Sequence, residues 1–381
     1  MSMPTYAPIW IDEELGDVAA MARSFFERVV VPNIARFEKQ HQADPETWLE
    51  AGKAGLLCPS VPEEYGGGGG TFLHEAVVLW EQSRVGDDTI AYAIHSTIVA
   101  HYVLNYGTEE QRRRWLPALA SGECIGAVAM TEPGTGSDLK RIATSARRDG
   151  DHYVLNGAKT FITNGALAGL IVAVVRTGGP GARGLSLLLV DGDAPGLTRG
   201  APLDKMGQRG QDTRELFFDD VRVPVGNLLG EEGSAFGHLM AQLPQERLAI
   251  AIGAVAQAEL AVELAVAHAK EREAFNGTLW DLQNTRFVLA QCATEVKAAR
   301  VFLDHCIALH ARGELDAATA SQIKLLATDM LFTVADRCVQ VFGGYGYILE
   351  YPVARIFAGA RVQRIYGGAN EVMKELIARS M

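Results

Sequence analysis

Hydrophobic residues recur along the chain at different spacings, and the first spacing is helical. Up to about residue 124, apolar positions such as Leu15, Val18 and Phe25 fall on one face of a helical repeat. Five consecutive glycines at 66–70 interrupt that repeat. Because glycine disfavours helix, we expect a flexible surface loop there. The pattern predicts an α-helical domain over residues 1–124.

The second spacing is that of β-strands and covers residues 125–228. Short runs rich in Val, Leu, Ile and Phe are separated by Gly, Asn, Asp and Pro; these runs are IGAVAM, HYVLNG, LIVAVVRT, LSLLLVD and RELFFDDVRVP. They follow one another without helical stretches between them. We therefore expect a β-barrel or β-sandwich of about 100 residues, and not a parallel Rossmann sheet.

From residue 229 to 381 the helical repeat returns in long, apolar segments. Four such segments begin near Leu248, Thr285, Ala320 and Ala360. We expect them to pack as a four-helix bundle. The order of helices, strands and helices predicts an α+β multidomain protein.

Composition narrows the possible functions. The chain has 381 residues, of which 48% are hydrophobic, and this suits two or three domains with buried cores. The net charge of −11 disfavours non-specific nucleic-acid binding, because such binding requires Lys and Arg to neutralise phosphates. Local basic patches still allow an anionic cofactor to bind.

Cysteine usage and the apolar runs bear on the compartment. The five cysteines are odd in number and scattered, with no Cys-x-x-Cys pair, which fits a reducing compartment and gives no metal signature. The N-terminus shows no basic segment followed by an apolar stretch, so we expect no signal peptide. The longest relevant apolar run, from Leu248 to Ala258, is shorter than the roughly 20 residues that span a bilayer. We expect a cytoplasmic protein with no membrane insertion.

Two motifs in the strand region suit a flat cofactor. MTEPGTGSD, at 130–138, has small glycines that let the backbone approach closely and hydroxyls on Thr131 and Ser137. FITNG, at 161–165, places an aromatic ring two residues before Thr163, for stacking and hydrogen bonding. Each motif also has a plainer interpretation, as a polar glycine-rich hairpin loop and as a strand that ends in an Asn-Gly turn.

A third motif, QVFGGYGYILEYPVAR at 340–355, places several glycines where a helix ends. Free backbone N–H groups at such a point could bind an anion. The alternative is a helix C-cap with glycines in the left-handed conformation.

The fourth candidate is a pair of charges. Glu246 and Arg247 are the only formal charges between Glu232 and Glu259, and a strongly apolar helix follows them. A carboxylate in such surroundings is paired, exposed at one edge, or functional. Pro244 would start or kink the helix, so Glu246 could be a first-turn acid favoured by the helix dipole, or a partner of Arg247.

The four motifs, in this order on an α–β–α background, resemble the acyl-CoA dehydrogenase family over essentially the whole chain. MTEPGTGSD and QVFGGYGY-x2-E-x4-R look like its two signatures. The resemblance implies an N-terminal helical domain, a middle β domain and a C-terminal four-helix bundle. It also implies FAD between the last two domains, a homotetramer or dimer, and a role in fatty acid β-oxidation with an electron-transfer flavoprotein as acceptor.

The resemblance also assigns residues to the two ligands. The residues implied to lie along the flavin ring and pyrophosphate are Met130, Thr131, Gly136, Ser137, Phe161 and Thr163, and Phe161 takes a place more often held by Trp. The residues implied to reach a neighbouring subunit's FAD are Arg272, Phe275, Gln283, Gln340, Gly343, Gly344, Asn370 and Glu371. Contacts with acyl-CoA are implied for Ser137, Arg247, Tyr366, Gly367 and Gly368.

In this family a carboxylate removes the α-proton of the thioester while the β-hydrogen leaves as hydride to flavin N5, which gives the trans-2-enoyl-CoA. Many members carry the base in a Tyr-Glu-Gly-Thr sequence, but here Gly367 follows Tyr366. Long-chain and isovaleryl-CoA dehydrogenases carry it in a Glu-Arg-Leu context, which this chain has at Glu246, Arg247 and Leu248. The surrounding sequence resembles the long-chain type. Glu246 is therefore the predicted catalytic base.

Two other functions stay open on the same fold. One is an acyl-CoA oxidase or flavin monooxygenase, and the other is a non-catalytic acyl-CoA-binding protein that has lost its base at 367. The chain also departs from the family at three further positions. These are Ala369 in place of Thr, Gly359 in place of an acid, and Asn276 within the usual Phe-Gly pair, and each could loosen cofactor retention.

Overall fold

The computed structural model describes residue 8, residues 10–86 and residues 88–381. The N-terminal part is helical, as the apolar spacing predicts. Its α-helices are α1 Glu13–Phe25, α2 Ile34–Gln40, α3 Pro45–Lys53, α4 Phe72–Arg84, α5 Ala100–Tyr106 and α6 Glu109–Ser121. π-helical segments at Phe26–Val30 and Ala93–Val99 continue α1 and lead into α5.

The glycine run at 66–70 is a loop, but it is held in place where we expected flexibility. The backbone N–H of Gly69 donates to the carbonyl of Val61 at 2.9 Å. A Cβ on Gly67 would lie 2.2 Å from the same carbonyl oxygen. The glycines are needed here because two backbone segments approach each other closely.

The middle part is a β domain, as the strand pattern predicts, and its strands form one mixed sheet. Its strands are β1 Ile125–Ala129, β2 Ser145–Asp149, β3 His152–Thr163, β4 Ala168–Arg176, β5 Leu185–Asp191, β6 Leu197–Arg199, β7 Thr213–Pro224 and β8 Leu228–Leu229. The order is β6-β7-β3-β2-β4-β5-β8, and β1 pairs beside β4. β1 runs parallel to β4, whereas the long pairs β3–β7 and β4–β5 are antiparallel. This topology differs from a parallel Rossmann sheet.

The two faces of the sheet pack against different partners. Along β4, Leu170 and Val172 pack against the N-terminal helices, in the same cluster as Leu116 of α6. The alternate residues Ile171 and Ala173 pack within the β domain itself. This follows from the two-residue period of a strand, which sends successive side chains to opposite faces.

The C-terminal part is helical, but it has more helices than the four expected. They are α7 Ala235–Glu271, α8 Gln283–Ala311, α9 Ala317–Phe342, α10 Pro352–Gln363 and α11 Asn370–Ser380; a short hairpin of β9 Glu273–Ala274 and β10 Gly277–Thr278 joins α7 to α8. The fourth predicted helix is divided into α10 and α11 at Gly367 and Gly368. Their φ angles of +65° and +97° lie outside the right-handed helical region.

Helix α7 connects all three parts of the structure. Its first turns, at Ala235 and Leu239, pack in the cluster shared by the N-terminal helices and the sheet. Its middle, at Leu248 and Ile252, lies in the core of the helical bundle. Among the described residues it is the one helix that is long and apolar enough to cross a membrane, but most of that apolar window is buried inside the protein. A core helix of a folded domain has the same composition.

Candidate active site

Glu246 lies in the interior of α7, and not in its first turn. The helix begins at Ala235, so Pro244 stands inside it. Proline lacks the N–H that an internal helical position normally donates, and here the chain continues through it as a helix. The first-turn interpretation of Glu246 is therefore wrong, and the helix dipole does not account for its carboxylate.

The Glu246 carboxylate is buried and makes one hydrogen bond. The residue is 6% exposed, and Oε1 accepts a hydrogen bond from the Tyr102 hydroxyl of α5 at 3.1 Å. Burial raises the pKa of Glu246 from its usual value to about 7, although the Tyr102 hydrogen bond and the charge of Arg247 both lower it. A carboxylate with such a pKa accepts a proton near neutral pH, as a general base must.

Arg247 makes its hydrogen bonds with residues other than Glu246. Its Nε donates to the carbonyl of Gly367 at 3.3 Å, and its Nη1 donates to the Ser321 hydroxyl at 3.3 Å. Glu246 takes part in none of the ion pairs that form among residues 10–86 and 88–381. The interpretation of Glu246 as a structural partner of Arg247 is therefore not what the geometry shows.

Gly367, the position at which many family members carry the base, packs against the residue one turn from Glu246 on α7. Residues 246 and 250 are one turn apart on α7 and share a face. A Cβ built on Gly367 would lie 2.4 Å from Cδ1 of Ile250. The two positions at which the family resemblance puts a base therefore converge on one face of α7, although they are 121 residues apart in the sequence.

The turn that carries Gly367 and Gly368 is held by a buried lysine. Lys324 of α9 is fully buried, and its Nζ donates to the Gly368 carbonyl at 2.8 Å and to Asn370 Oδ1 at 2.9 Å. The Asn370 amide also donates to Asp329 at 3.0 Å. The side chain of Asn370, for which the resemblance implies a contact with FAD, is thus engaged inside the chain. A buried lysine within an apolar helix repeat was the sequence signal for this network, and we missed it.

The two motifs of the β domain come together. The backbone N–H of Thr160 donates to the carbonyl of Thr131 at 2.9 Å, which joins the end of β3 to the loop at 130–138. Phe161 stands at a bulge in the β3–β7 pairing, with φ of +59° and 66% of its surface exposed. In the loop, Gly136 and Ser137 are exposed, while Met130, Thr131 and Thr163 are half-buried.

A buried ion pair holds the loop at 130–138 against strand β3. Lys159 and Glu132 are buried, and Lys159 Nζ lies 2.8 Å from Glu132 Oε1 and 2.9 Å from the Met130 carbonyl oxygen. Glu132 also accepts from the backbone N–H groups of Ala143 and Thr144. Burial lowers the pKa of Lys159 to about 8, although Glu132 raises it. We missed this pair because a lysine at an inward-facing strand position carries no motif of its own.

These residues fit a bound flavin. An aromatic side chain that is 66% exposed and held at a positive φ is strained, and strained residues cluster at ligand sites. The loop at 130–138 is joined to β3 beside it through Thr131 and Thr160, and Lys159 holds its backbone at Met130. The same loop carries the exposed Ser137. The arrangement offers an apolar face for a ring and donors for a phosphate.

Arg272 and Phe275, two of the predicted FAD residues, lie far from Glu246 within the chain. Arg272 is 26 positions further along, which corresponds to about 39 Å of helical rise. Phe275 is 88% exposed, and the Arg272 guanidinium lies 5.8 Å from the ring centroid of Tyr345, beside Gly343 and Gly344. Gln283, Gln340 and Glu371 are also exposed. The structure brings the 272–275 and 343–345 segments together, at one end of the bundle.

The chain matches one family along nearly its entire length. The family descriptions "Acyl-CoA dehydrogenase, N-terminal domain", "middle domain" and "C-terminal domain" match residues 12–123, 127–221 and 234–381. The chain belongs to the acyl-CoA dehydrogenase family of enzymes. The match to a family of this fold confirms the fold and the family that the motifs predict.

Several individual acyl-CoA dehydrogenases are similar to this chain over most of its length. The chain is 45% identical to a long-chain specific acyl-CoA dehydrogenase of Sus scrofa over 363 residues, which are 94% of this chain and 84% of that one. It superposes on an acyl-CoA dehydrogenase from Geobacillus kaustophilus with a TM-score of 0.96 and 44% identity, covering 98% and 99% of the two chains. A Bacillus anthracis acyl-CoA dehydrogenase solved in complex with FAD matches with a TM-score of 0.92 and 31% identity, covering 98% of this chain and 68% of that one.

Proposed function

We propose that this enzyme catalyses the FAD-dependent α,β-dehydrogenation of an acyl-CoA thioester to the trans-2-enoyl-CoA, with Glu246 as the base that removes the α-proton. One observation carries the proposal. Gly367, where many family members have the base, packs against Ile250 of α7, and Glu246 lies one turn from Ile250 on the same face of that helix. A carboxylate there has a pKa of about 7, so it is available as a base at neutral pH.

FAD, when bound, supplies the acceptor for the hydride that leaves the β-carbon. The residues that would hold it are Phe161, Thr163 and the loop at 130–138. The buried Lys159–Glu132 pair holds this loop in position. The exposed residues near Arg272 and Phe275 would contact FAD of a neighbouring subunit, since about 39 Å of helix separates them from Glu246 in the same chain.

The residues of this chain have separate tasks at the thioester. Glu246 takes the α-proton, and its burial removes the water that would otherwise hydrate the carboxylate. The Gly367–Gly368 turn, held by Arg247 and Lys324, fixes the backbone beside the base. Because the carbonyl of Gly367 is bound by Arg247, we assign Arg247 to this turn in addition to the predicted contact with acyl-CoA.

The likeness to long-chain specific enzymes favours a fatty acyl-CoA as substrate and a place in fatty acid β-oxidation. By the same resemblance we propose an electron-transfer flavoprotein as the physiological acceptor and a homotetramer or dimer as the active assembly. We also propose a cytoplasmic location, on the cysteine pattern.

The test is anaerobic bleaching of the flavin by acyl-CoA thioesters of graded length and branching. Glu246→Gln should retain FAD and lose about 10²–10⁴-fold in bleaching rate, the usual contribution of a general base. The matched control is Glu259→Gln, the same chemical change about 20 Å further along α7. Bleaching by Glu246→Gln at the wild-type rate would contradict the assignment.

Two further outcomes identify the alternative functions. Stoichiometric peroxide during aerobic turnover would show an acyl-CoA oxidase. A yellow wild-type protein that no acyl-CoA bleaches would show a non-catalytic acyl-CoA-binding protein.

A further inference from the structure

The two oxygens of the Glu246 carboxylate have different surroundings. Oε1 accepts the hydrogen bond from the Tyr102 hydroxyl at 3.1 Å. Oε2 accepts no hydrogen bond from any residue in the part of the chain that the structure describes, and the residue keeps 6% of its surface exposed. One oxygen is therefore restrained, and the other is available to a ligand.

Tyr102 comes from a different part of the chain and is itself held firmly. It lies on α5 of the N-terminal helices, 144 positions from Glu246, and it is fully buried. The preceding residue, His101, hydrogen bonds to Glu75 at 2.8 Å and to the Ser60 hydroxyl at 3.1 Å. These buried contacts anchor α5 on its far side, so the Tyr102 hydroxyl has a defined position relative to α7.

We propose that Tyr102 is a positioning residue, which binds Oε1 of Glu246 and so leaves Oε2 as the oxygen that receives the α-proton of the substrate. This inference rests on the proposed function, because it concerns the same carboxylate. In the step, the Cα–H bond breaks, an O–H bond forms on Oε2, and the electron pair stays on the substrate. Tyr102 keeps its own proton throughout.

The hydroxyl of Tyr102 is suited to this task because it does not ionise. Burial, together with the neighbouring Glu246, raises the pKa of Tyr102 well above its usual value. It therefore stays a neutral donor across the range in which Glu246 titrates. A hydrogen bond to the charged form of an acid favours that form, so Tyr102 opposes the effect of burial on Glu246.

Other titratable groups lie near the base, and both variants in the test below keep all the His, Lys and Arg residues among them. Tyr106 lies one turn along α5, and Arg247 follows Glu246 on α7. His310 of α8 reaches the same helix through Gln245 at 3.1 Å, and burial lowers its pKa to about 4, so it is neutral near pH 7. Lys324 of α9 has a pKa lowered to about 8 by burial and by Arg247.

The experiment compares Tyr102→Phe with Tyr106→Phe. Both variants lose one phenolic hydroxyl from the same face of α5, but the Tyr106 hydroxyl contacts Gln242 and the His238 carbonyl, and not Glu246. The rate of anaerobic flavin bleaching is measured against pH for each, with FAD content and circular dichroism as checks on folding. The rate rises with pH as Glu246 ionises, and this rise is the readout.

We expect the rise to move to higher pH by about one unit in Tyr102→Phe, because the carboxylate loses a donor, and to stay in place in Tyr106→Phe. A merely structural role for Tyr102 would lower the rate at every pH without moving the rise. An unchanged pH profile in folded Tyr102→Phe protein would overturn the proposal.

A second variant tests the same idea in the opposite direction and keeps the ring and its hydroxyl. Difluorotyrosine at position 102 is a more acidic and stronger donor, so the rise should move to lower pH; no movement would count against the proposal. Failure of the proposed function is recognised separately, since Glu246→Gln would then bleach at the wild-type rate whatever happens at Tyr102.

Discussion

Ile250 occupies the space that a side chain at Gly367 would need, since its Cδ1 lies 2.4 Å from the position of a Cβ on that glycine. Ile250 is one turn from Glu246 on α7. The loss of a carboxylate at 367 and its gain at 246 are therefore linked by packing as well as by family resemblance. A side chain at 367 would require Ile250 to move.

The base should therefore not return to 367 by a single change. We expect Glu246→Gln/Gly367→Glu to remain unbleached and to lose about 1–3 kcal/mol of stability, from the clash with Ile250 and the left-handed φ of +65°. Adding Ile250→Ala removes the clashing atoms and should restore part of the bleaching rate. Bleaching by the double variant with Ile250 intact would show that the core tolerates a base at either position.

Stability should fall with rising pH because of Glu246. Its pKa is raised from 4.5 to about 7 in the folded protein, so its protonated form is favoured there. The stabilisation is fully present below about pH 4.5 and is lost as pH rises through 7, by about 3 kcal/mol.

Thermal unfolding of apoprotein at pH 5 and pH 8 measures this effect. Glu246→Gln is neutral at both values, so it should be more stable than wild type at pH 8 and lose that advantage at pH 5. Glu271→Gln, which removes an exposed carboxylate at the end of the same helix, is the control. An equal difference between Glu246→Gln and wild type at the two pH values would show that the carboxylate titrates normally.

The Lys159–Glu132 pair should stabilise the flavin loop. Lys159→Met leaves Glu132 buried without its counter-ion, and we expect a loss of about 3–5 kcal/mol of stability together with FAD. Lys159→Met/Glu132→Gln removes both charges and should recover part of each loss. The measurements are thermal unfolding and flavin content after dialysis. A double variant worse than the single one would mean that Glu132 acts independently of Lys159.

Substitution of Phe161 should weaken cofactor binding without lowering the stability of the apoprotein. Glycine relieves the positive φ at this position, which costs a phenylalanine about 1–3 kcal/mol. Since Phe161 is 66% exposed, Phe161→Gly should leave the apoprotein at least as stable as wild type and weaken FAD binding. Phe217→Gly, at an exposed position on the neighbouring strand β7, is the control and should lose stability instead. Titration of apoprotein with FAD, followed by flavin fluorescence, measures the affinity; unchanged affinity in Phe161→Gly would remove Phe161 from the flavin site.

Much of the architecture could be predicted from local patterns. The helical and strand repeats identified the order of helices, sheet and helices, because the period of apolar residues depends on which face each element buries. The repeats did not predict where each helix begins and ends. Helix α7 begins at Ala235, well before its most apolar stretch, and α10 and α11 are separated by two glycines whose φ angles the repeat does not reveal.

The candidate base could be named from the sequence only through the family resemblance. Local sequence left Glu246 as a first-turn acid, an ion-pair partner or a functional group, and the structure removed the first two. The buried pair of Lys159 with Glu132 gave no recognisable signal, because the two residues lie 27 positions apart. Lys324 stands out within its apolar repeat, but its partners lie 44 or more positions away and the repeat does not identify them.

The sequence by itself determined the elements, their order and the family to which the chain belongs. Only the tertiary structure decided that Gly367 packs against Ile250, one turn from Glu246, and that Tyr102 binds one oxygen of the Glu246 carboxylate. The physical reason is the separation along the chain between the residues that interact. Secondary structure follows from contacts a few residues apart, whereas the surroundings of a buried carboxylate depend on helices that meet only when the whole chain packs.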